Sequence, residues 1–404
     1  MKKAVMYGGG NIGRGFIGQL LSQSGYEVTF VDVAEPVVNA LIKDRRYPVR
    51  YVSSAGYEDV WTENVTAVNG NDMDAVADAI ANADIMATAV GARILKFIVA
   101  NIVTGLRKRW ELGKGPLNII ICENLMDANK VLEAMLKEQL TEEEKAIFDE
   151  TVGLVEASIG RMVPVQTEEM KDGDPMRVCV EGYGFLPVDK AAFKGNIPQI
   201  TNMVPFEPFD FYIKRKLYIH NMGHATCAYL GDLLGLQYIY EAIDVPEIRS
   251  IVHSAMLESA VALSQTYNVP LDGIVCHIED LLYRFTNKAL KDTCARVGGD
   301  PARKLSAADR LIGSSLLVQK TGAIPAYIAI GAAAGLHRFV AESNLEQTRE
   351  NAKALLLETS GLAEEAPLTE RILTLYQMLL DGCSISRLYT YAQEQKAALR
   401  KPII

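Results

Sequence analysis

The sequence predicts an α/β fold in which a doubly wound sheet with added strands precedes a mostly α-helical C-terminal domain. A short apolar segment at 4–7 runs directly into a glycine-rich turn and then into a helix pattern. A predominantly apolar segment at 116–122 is typical of a strand that is buried on both faces of a sheet. Beyond residue 209, apolar residues recur three and four positions apart almost to the end, which is the period of helices.

The glycine-rich turn has the spacing G-x-G-x-x-G over residues 8–13. It opens a helix directly after a strand, and the next strand ends at Asp32, about 20 residues further on, which is the context of a Rossmann-type dinucleotide site. In such a site Gly8 allows the tight turn, Gly10 lets the backbone approach the pyrophosphate, and Gly13 packs the helix on the strand. The alternative is an ordinary glycine turn. The predicted cofactor contacts here are Gly8, Gly10, Asn11, Ile12, Gly13 and Asp32.

Asp32 indicates which dinucleotide is bound. A carboxylate at this position can bind the two ribose hydroxyls of NAD but would repel the 2′-phosphate of NADP. The following residues, 33–35, include no arginine that would reverse this preference. The predicted cofactor is therefore NAD.

Further strands are expected in the first half of the chain. Alternating apolar residues over 47–68 predict extra strands inserted in the sheet, and a helix at 73–83 precedes a strand that ends in the turn Val90-Gly91. Backbone in that turn would pass close over the cofactor. The strand at 116–122 delivers Asn124 to the edge where open α/β sheets bind ligands, although a turn-forming asparagine is an alternative interpretation.

The length of 404 residues is too great for one ordinary core, so two domains are expected. Prolines at 205 and 208 break the strand pattern of the first half. We therefore predict a dinucleotide-binding domain at 1–203 and a helical substrate-binding, catalytic domain at 204–404. Helices are predicted in the second domain at 211–233, 246–266, 304–320 and 323–341.

Composition and charge argue against several classes of function. The net charge of −9, without a basic run, argues against a nucleic-acid-binding protein. The start of the chain lacks the apolar run of a signal peptide, and the longest uncharged run, Thr321–Leu336, is too short for a bilayer span, so a cytoplasmic protein without a membrane role is expected. Six cysteines lack the spacings typical of zinc sites, which predicts no metal.

The second half contains an amine, an amide and an imidazole within nine residues, at Lys216, Asn221 and His224. In an α-helix these side chains would lie at roughly 0°, 140° and 80° around the axis, on one broad face. A desolvated lysine can take the proton that an alcohol loses on oxidation, while the amide and imidazole hydrogen-bond the developing alkoxide. The alternative is a surface lysine, a capping asparagine and a core histidine that lie close together by chance.

A basic segment follows at 296–310 and contains Arg303, Lys304 and Arg310. Ser306 is a plausible N-cap of the next helix, and several cations near a helix start can bind a phosphate or a carboxylate. A solvated basic loop is the alternative.

Four segments together resemble the polyol-specific long-chain dehydrogenases, in order from residue 1 to about residue 380. These are Gly8-Gly-Gly-Asn-Ile-Gly-Arg-Gly-Phe-Ile-Gly18, Cys122-Glu-Asn124, Lys216-x4-Asn221-x2-His224 and Arg303-Lys-Leu-Ser-Ala-Ala-Asp-Arg310. The K-x4-N-x2-H element is the most specific of them. Gly9 stands where related sequences often carry alanine, and the residues from Ser384 on extend past the resemblance and receive no role.

The resemblance implies a site in the cleft between the two domains and a zinc-free, reversible hydride transfer. D-mannitol 1-phosphate and NAD would give D-fructose 6-phosphate and NADH. Lys216 would be the general base, Asn124 and Asn221 would form an amide pair on the carbonyl oxygen, and His224 would hold the substrate. Arg303, Lys304 and Arg310, with Arg14 as a further candidate, would bind the phosphate.

Two other functions remain open at this stage. A hexuronate reductase acting on tagaturonate or fructuronate would bind a carboxylate in place of the phosphate. An NAD-binding regulator would keep the fold without turnover, although it would need no general base. The expected partner is a small phosphorylated sugar or polyol, and the expected assembly is a monomer or a homodimer.

Overall fold

The computed structural model describes residues 1–125, 127–164 and 166–398. The chain divides into two compact units, of which the first is Met1–Asp210 and the second begins at Phe211. This division lies slightly beyond the predicted boundary, and the functional domains 1–203 and 204–404 stay a prediction.

The first unit is built on a parallel sheet. The strands of the whole unit are β1 (Lys2–Tyr7), β2 (Tyr26–Asp32), β3 (Arg46–Ser53), β4 (Gly56–Glu63), β5 (Val65–Asn69), β6 (Ile85–Thr88), β7 (Leu117–Ile121), β8 (Val152–Glu156), β9 (Val178–Val180), β10 (Leu186–Asp189) and β11 (Met203–Phe206). Among the described residues the main sheet has six strands in the order β5-β2-β1-β6-β7-β8, all paired in parallel. The helices are α1 (Gly18–Gln23), α2 (Glu35–Asp44), α3 (Met73–Ala81), α4 (Leu95–Glu111), α5 (Ala128–Glu138), α6 (Glu142–Thr151) and α7 (Glu168–Lys171).

Both faces of this sheet are buried. Alternate residues of β1 belong to two different hydrophobic clusters, with Ala4 and Met6 in one and Val5 and Tyr7 in the other. Every residue of β7 is buried as well. This double burial explains why these strands read as continuous apolar segments and not as an alternation of apolar and polar residues.

The added strands are present, but the prediction that they enter the main sheet is right only for β5. β3 and β4 form an antiparallel hairpin, and β9 pairs in parallel with β3 to complete a separate three-stranded sheet. β10 and β11 form a parallel pair of their own. The error has a physical reason: the β3–β9 register joins Val49 to Val178, and pairing over such a separation leaves no local pattern in the sequence.

The second unit is helical, and between its described residues the only β pairing is an isolated bridge from Tyr238 to Thr293. Its helices are α8 (Asp210–Arg215), α9 (Met222–Leu233), α10 (Ile239–Asp244), α11 (Pro246–Tyr267), α12 (Leu271–Phe285), α13 (Cys294–Gly298), α14 (Pro301–Lys304), α15 (Ile312–Lys320), α16 (Ala326–Glu342), α17 (Arg349–Ser360), α18 (Pro367–Leu380) and α19 (Ile385–Ala397). A 3₁₀ turn, Lys288–Leu290, precedes α13, and α8 spans the division between the units.

The core of this unit is α16, which α9, α11, α18 and α19 contact. It confirms the helix predicted at 323–341, and its residues 326–336 are buried. Small residues allow the close packing, since a Cβ on Gly331 would lie 2.2 Å from Oγ1 of Thr226 on α9. No helix in the described part of the chain is both long and apolar enough to cross a membrane.

Candidate functional site

The glycine turn after β1 needs glycine at two positions for structural reasons. Gly8 has a φ of +105°, and a Cβ there would lie 2.5 Å from the carbonyl oxygen of Ala89. A Cβ on Gly13 would lie 1.9 Å from the carbonyl oxygen of Gly8, so the helix reaches the strand end only without a side chain. A Cβ on Gly10 would meet nothing within 4 Å. The turn therefore leaves space beside Gly10, where a pyrophosphate is predicted to approach.

The helix that follows begins with a π-helical turn at Gly13–Ile17, a feature that the sequence pattern did not predict. The N–H of Gly18 donates to the carbonyl five residues earlier. The buried guanidinium of Arg161 donates to the carbonyl oxygen of Gly15 inside this turn, at 2.8 Å. Such wide turns often occur at functional sites, and here one lies at the predicted phosphate-binding helix.

The side chain of Arg14 forms hydrogen bonds within the first unit. Its side chain is only 7% exposed, and it donates to the carbonyl oxygens of Gly9 at 2.7 Å and Met176 at 2.5 Å. These contacts hold the guanidinium within the first unit and brace the glycine turn, while its role in phosphate binding stays a prediction.

Asp32, at the end of β2, also supports the glycine turn. One carboxylate oxygen accepts the N–H of Gly9 at 2.6 Å, and the other accepts the N–H of Ala34 at 2.9 Å. Each oxygen keeps a lone pair for a further donor, such as a ribose hydroxyl. Asn11, which is exposed, and Ile12, which is partly exposed, lie just beyond on the same turn.

Three turns meet at one edge of the sheet because β1, β6 and β7 are adjacent and parallel. The carboxylate of Glu123, which follows β7, accepts the N–H of Val90 at 3.0 Å and of Gly91 at 2.7 Å. Glu123 thereby fixes the turn after β6, a role that was not predicted from the sequence. The neighbouring Asn124 is exposed.

In the second unit the motif begins with another π-helical turn, Lys216–Asn221, between α8 and α9. The N–H of Met222 donates to the carbonyl of Leu217, five residues earlier. The regular α-helix assumed from the sequence is therefore wrong at this point. In a π-helical turn each residue advances by a smaller angle around the helix axis than in an α-helix. The side chains of Lys216 and Asn221 therefore lie closer to the same face of the helix than α-helical spacing predicts. His224 follows on the first turn of α9.

The amine of Lys216 lies among protein atoms, although part of the residue surface is still accessible. Burial, together with the nearby Arg310 guanidinium, lowers the pKa of Lys216 to about 8. Within the described part of the chain the amine has neither a hydrogen bond nor an ion pair. Lys216 is therefore a lysine whose neutral form is accessible near physiological pH.

His224 is held from two sides. Its ring stacks on Phe285, with centroids 4.7 Å apart and planes inclined by 17°. Its Nε2 is enclosed and lies 3.3 Å from Oδ2 of Asp292. This separation is that of an ion pair, but the two atoms are not aligned as a hydrogen bond in this structure. Asp292 was missed from the sequence, because it comes from a distant segment that only tertiary packing brings to His224.

The basic segment contains a buried cation whose amine has no partner among the described residues. Arg303 is half exposed and donates to Asp300 at 2.7 Å and to Asp309 at 2.9 Å, while Nε of Arg310 donates to Asp309 at 2.8 Å. Lys304 is 4% exposed, and its amine has no hydrogen bond or ion pair with the described residues. Burial and the cations Arg310 and Arg303 lower its pKa to about 8. Lys304, with the remaining N–H groups of Arg310, is thus the group best placed to receive an anion.

The predicted helix at 304–320 is interrupted, and Ser306 does not cap it. Asp300 caps the short α14 by accepting the N–H of Arg303, and α15 begins only after Leu311. The Asp309 carboxylate accepts both the N–H and the Nε of Arg310, which holds the chain in turns where the sequence suggested a helix. Among the described residues no three His, Cys, Asp or Glu side chains are grouped as metal ligands.

Comparison with known proteins identifies the family. Residues 2–202 match the mannitol dehydrogenase Rossmann domain, and residues 209–358 match the mannitol dehydrogenase C-terminal domain. The chain is 37% identical over 381 residues to a mannitol-1-phosphate 5-dehydrogenase of Bacillus pumilus, covering 92% of this chain and 98% of that protein. It is 38% identical over 333 residues to the Brevibacillus brevis enzyme of the same name, covering 82% and 85% of the two chains.

Solved structures share the fold at low sequence identity. A substrate-free D-sorbitol dehydrogenase matches with a TM-score of 0.80 at 14% identity, covering 94% of this chain and 93% of that one. The Pseudomonas fluorescens mannitol 2-dehydrogenase, in a ternary complex with NAD and D-mannitol, matches with a TM-score of 0.74 at 15% identity, covering 97% and 94%. The family resemblance predicted from the sequence is confirmed: the chain belongs to the mannitol dehydrogenase family.

Proposed function

We propose that the protein is an NAD-dependent dehydrogenase that interconverts D-mannitol 1-phosphate and D-fructose 6-phosphate. The observation that carries the proposal is the amine of Lys216, which is unpaired in the described part of the chain and has a pKa lowered to about 8. Asn221 lies on the same wide turn, and His224 lies on the first turn of α9. An amine of this kind can accept a proton at neutral pH. Relatives that bear the name of this activity match 82–92% of this chain, which supports the same substrate.

The first unit would hold NAD. The open space beside Gly10 and the start of the following helix suit the pyrophosphate, and the free lone pairs of Asp32 suit the ribose hydroxyls. The turn Val90-Gly91, fixed by Glu123, would contribute backbone beside the cofactor. When bound, NAD supplies the hydride acceptor.

The side chains of the motif have separate tasks in the proposal. Neutral Lys216 accepts the hydroxyl proton as the alcohol is oxidised, and its ammonium form returns that proton in the reverse direction. Asn221 donates a hydrogen bond to the oxygen on which negative charge develops, and His224 orients the substrate beside it. Asn124 is kept as the second amide donor on the strength of the family resemblance.

Phosphate recognition is assigned to the second unit. Lys304 is buried and unpaired in the described part of the chain, so an incoming phosphate would supply its missing counter-ion. The free N–H groups of Arg310 would add charge-assisted hydrogen bonds. Arg303 is already paired with two aspartates, so it would contribute mainly through the long-range electrostatic attraction of its positive charge.

The function is tested by following NADH absorbance with D-fructose 6-phosphate, unphosphorylated fructose and tagaturonate in parallel. We expect rapid oxidation of NADH with fructose 6-phosphate only, because unphosphorylated fructose offers no anion to Lys304 and Arg310, and the carboxylate of tagaturonate carries less charge than a phosphate. Oxidation with tagaturonate alone would replace the proposal by a hexuronate reductase. Absence of turnover with all three, in a protein that still binds NADH, would indicate a regulator.

A further inference from the structure

The environment of His224 contains an acid that the proposed chemistry does not yet use. The imidazole stacks face to face on Phe285, which fixes the plane of the ring. The stacking does not restrict rotation of the ring within its own plane, so only polar contacts can fix that rotation. The nearest polar atom recorded for Nε2 is Oδ2 of Asp292, at 3.3 Å.

Asp292 is itself firmly held. Its other carboxylate oxygen, Oδ1, accepts hydrogen bonds from Arg296, including one from Nε at 2.8 Å. Its backbone carbonyl accepts the N–H of Ile239, and the next residue, Thr293, caps α13. The carboxylate side chain is 11% exposed, whereas Arg296 is 56% exposed. The carboxylate is therefore fixed in a largely buried position with one oxygen directed to the histidine.

The state of charge agrees with this arrangement. Burial opposes ionisation of the Asp292 carboxyl, but the neighbouring His224 and Arg296 outweigh it and hold its pKa below the usual value. A carboxylate beside Nε2 favours the tautomer that carries hydrogen on Nε2. Nδ1 then keeps its lone pair, and it has no hydrogen bond with the described residues of this unit.

We propose that Asp292 is a positioning residue that fixes His224 as the Nε2–H tautomer, so that Nδ1 accepts a hydrogen bond from a substrate hydroxyl. The contact between Nδ1 and a substrate hydroxyl rests on the proposed function, whereas the tautomer of His224 does not depend on it. The Nε2–Oδ2 contact is loose in the ligand-free protein and shortens when substrate aligns the ring, as catalytic hydrogen bonds often do. This assignment differs from a structural salt bridge with Arg296, because the carboxylate oxygen that faces His224 is not the one that Arg296 contacts.

The tautomer is tested without substrate. The chain has five histidines, so ¹⁵N-histidine labelling gives five ring systems, and a His224→Gln protein assigns the one of interest. Two-bond ¹H–¹⁵N spectra at pH 8 should show His224 with hydrogen on Nε2. In Asp292→Asn the amide can donate to Nε2 and should move the hydrogen to Nδ1. An Nδ1–H tautomer in the unmodified protein, or the same tautomer in both proteins, would refute the inference.

Kinetics test the consequence for the reaction. Asp292→Asn should lower kcat/KM for mannitol 1-phosphate about 10–100-fold, the usual effect of removing an orienting partner, with NADH affinity and melting temperature unchanged. Asp292→Glu, which keeps the carboxylate, should recover part of the loss. Asp232→Asn is the matched control, since Asp232 also pairs with an arginine, Arg338, but has no recorded contact with a histidine.

The outcomes separate the two proposals. An inactive wild-type protein with the Nε2–H tautomer would reject the proposed function and keep the pairing of Asp292 with His224. An active wild-type protein whose Asp292→Asn variant is equally active, or is slowed no more than Asp232→Asn, would reject the positioning role.

Discussion

The two units place their functional groups by different means. In the first unit the glycine turn, the Val90-Gly91 turn and Asn124 each follow a strand, and the parallel order of β1, β6 and β7 brings them to one edge. In the second unit Lys216 and His224 lie close together in the sequence, but the groups that tune them, Arg310 and Asp292, come from distant segments. Sequence order thus suffices to locate groups at a sheet edge, whereas the chemistry of a helical site depends on tertiary packing.

The strongest test of this contrast is the replacement of Lys216 by alanine. Loss of a general base should lower kcat for mannitol 1-phosphate oxidation by about 10²–10⁴-fold while NADH binding is retained. Lys320→Ala, an exposed lysine of the same unit, is the matched control and should change kcat less than twofold. Equal rates in the wild type and Lys216→Ala would exclude Lys216 as the base.

The same lysine fixes the direction of the pH dependence. Oxidation needs the neutral amine, so kcat for mannitol 1-phosphate, measured with the phosphate already bound to Lys304, should rise about tenfold per pH unit below pH 8 and level off above it. Reduction of fructose 6-phosphate needs the ammonium form and should decline as pH rises through 8. The residual activity of Lys216→Ala should lack this inflection, and an inflection that persists there would assign it to another group.

The fold was predictable where local patterns determine it. The strand, glycine turn and helix at the start of the chain and the buried segment Leu117–Ile121 have signatures that can be read within a few residues. The pairing of β3 with β9 could not be predicted, since it joins residues far apart in the sequence. Ser306 illustrates a further limit, because the contacts of Asp309 override its capping preference.

The candidate site shows the same division. Residue types and spacing indicated Lys216, Asn221 and His224 as candidates, but spacing does not report burial, and burial is the main cause of the lowered pKa of Lys216. Arg14 matched the family segment, yet its guanidinium is used to brace the turn that it follows. Both π-helical turns were also missed, because apolar periodicity is too coarse to detect a single wide turn.

A pair of glycine variants sharpens the comparison within the first unit. Gly13→Ala places a methyl group against the carbonyl of Gly8 and should destabilise the unit by about 1–3 kcal/mol. Gly10→Ala meets no protein atom and should melt as the wild type does, but its methyl group would occupy the proposed pyrophosphate space and weaken NADH binding about tenfold or more. Thermal melting and NADH fluorescence titration measure the two effects. Unchanged NADH affinity in Gly10→Ala would remove Gly10 from the cofactor site.

The smallest expected effect concerns a buried ion pair in the second unit. Glu258 of α11 accepts the N–H groups of Ala326, Tyr327 and Ile328 at the start of α16, and it also pairs with Lys396 of α19 at 3.0 Å. Glu258→Ala leaves those N–H groups without their cap and should cost about 1–2 kcal/mol.

Lys396→Ala should cost less than about 1 kcal/mol, because the lysine side chain is 42% exposed and the helix cap remains. Melting temperatures of the two variants give the comparison, with Glu370→Gln, which breaks an exposed pair, as the control. If Lys396→Ala proved the more damaging change, the ion pair and not the helix cap would be the main contribution of Glu258. Helix α19 would then stabilise the second unit mainly through this pair, a contribution that was not predicted from the sequence.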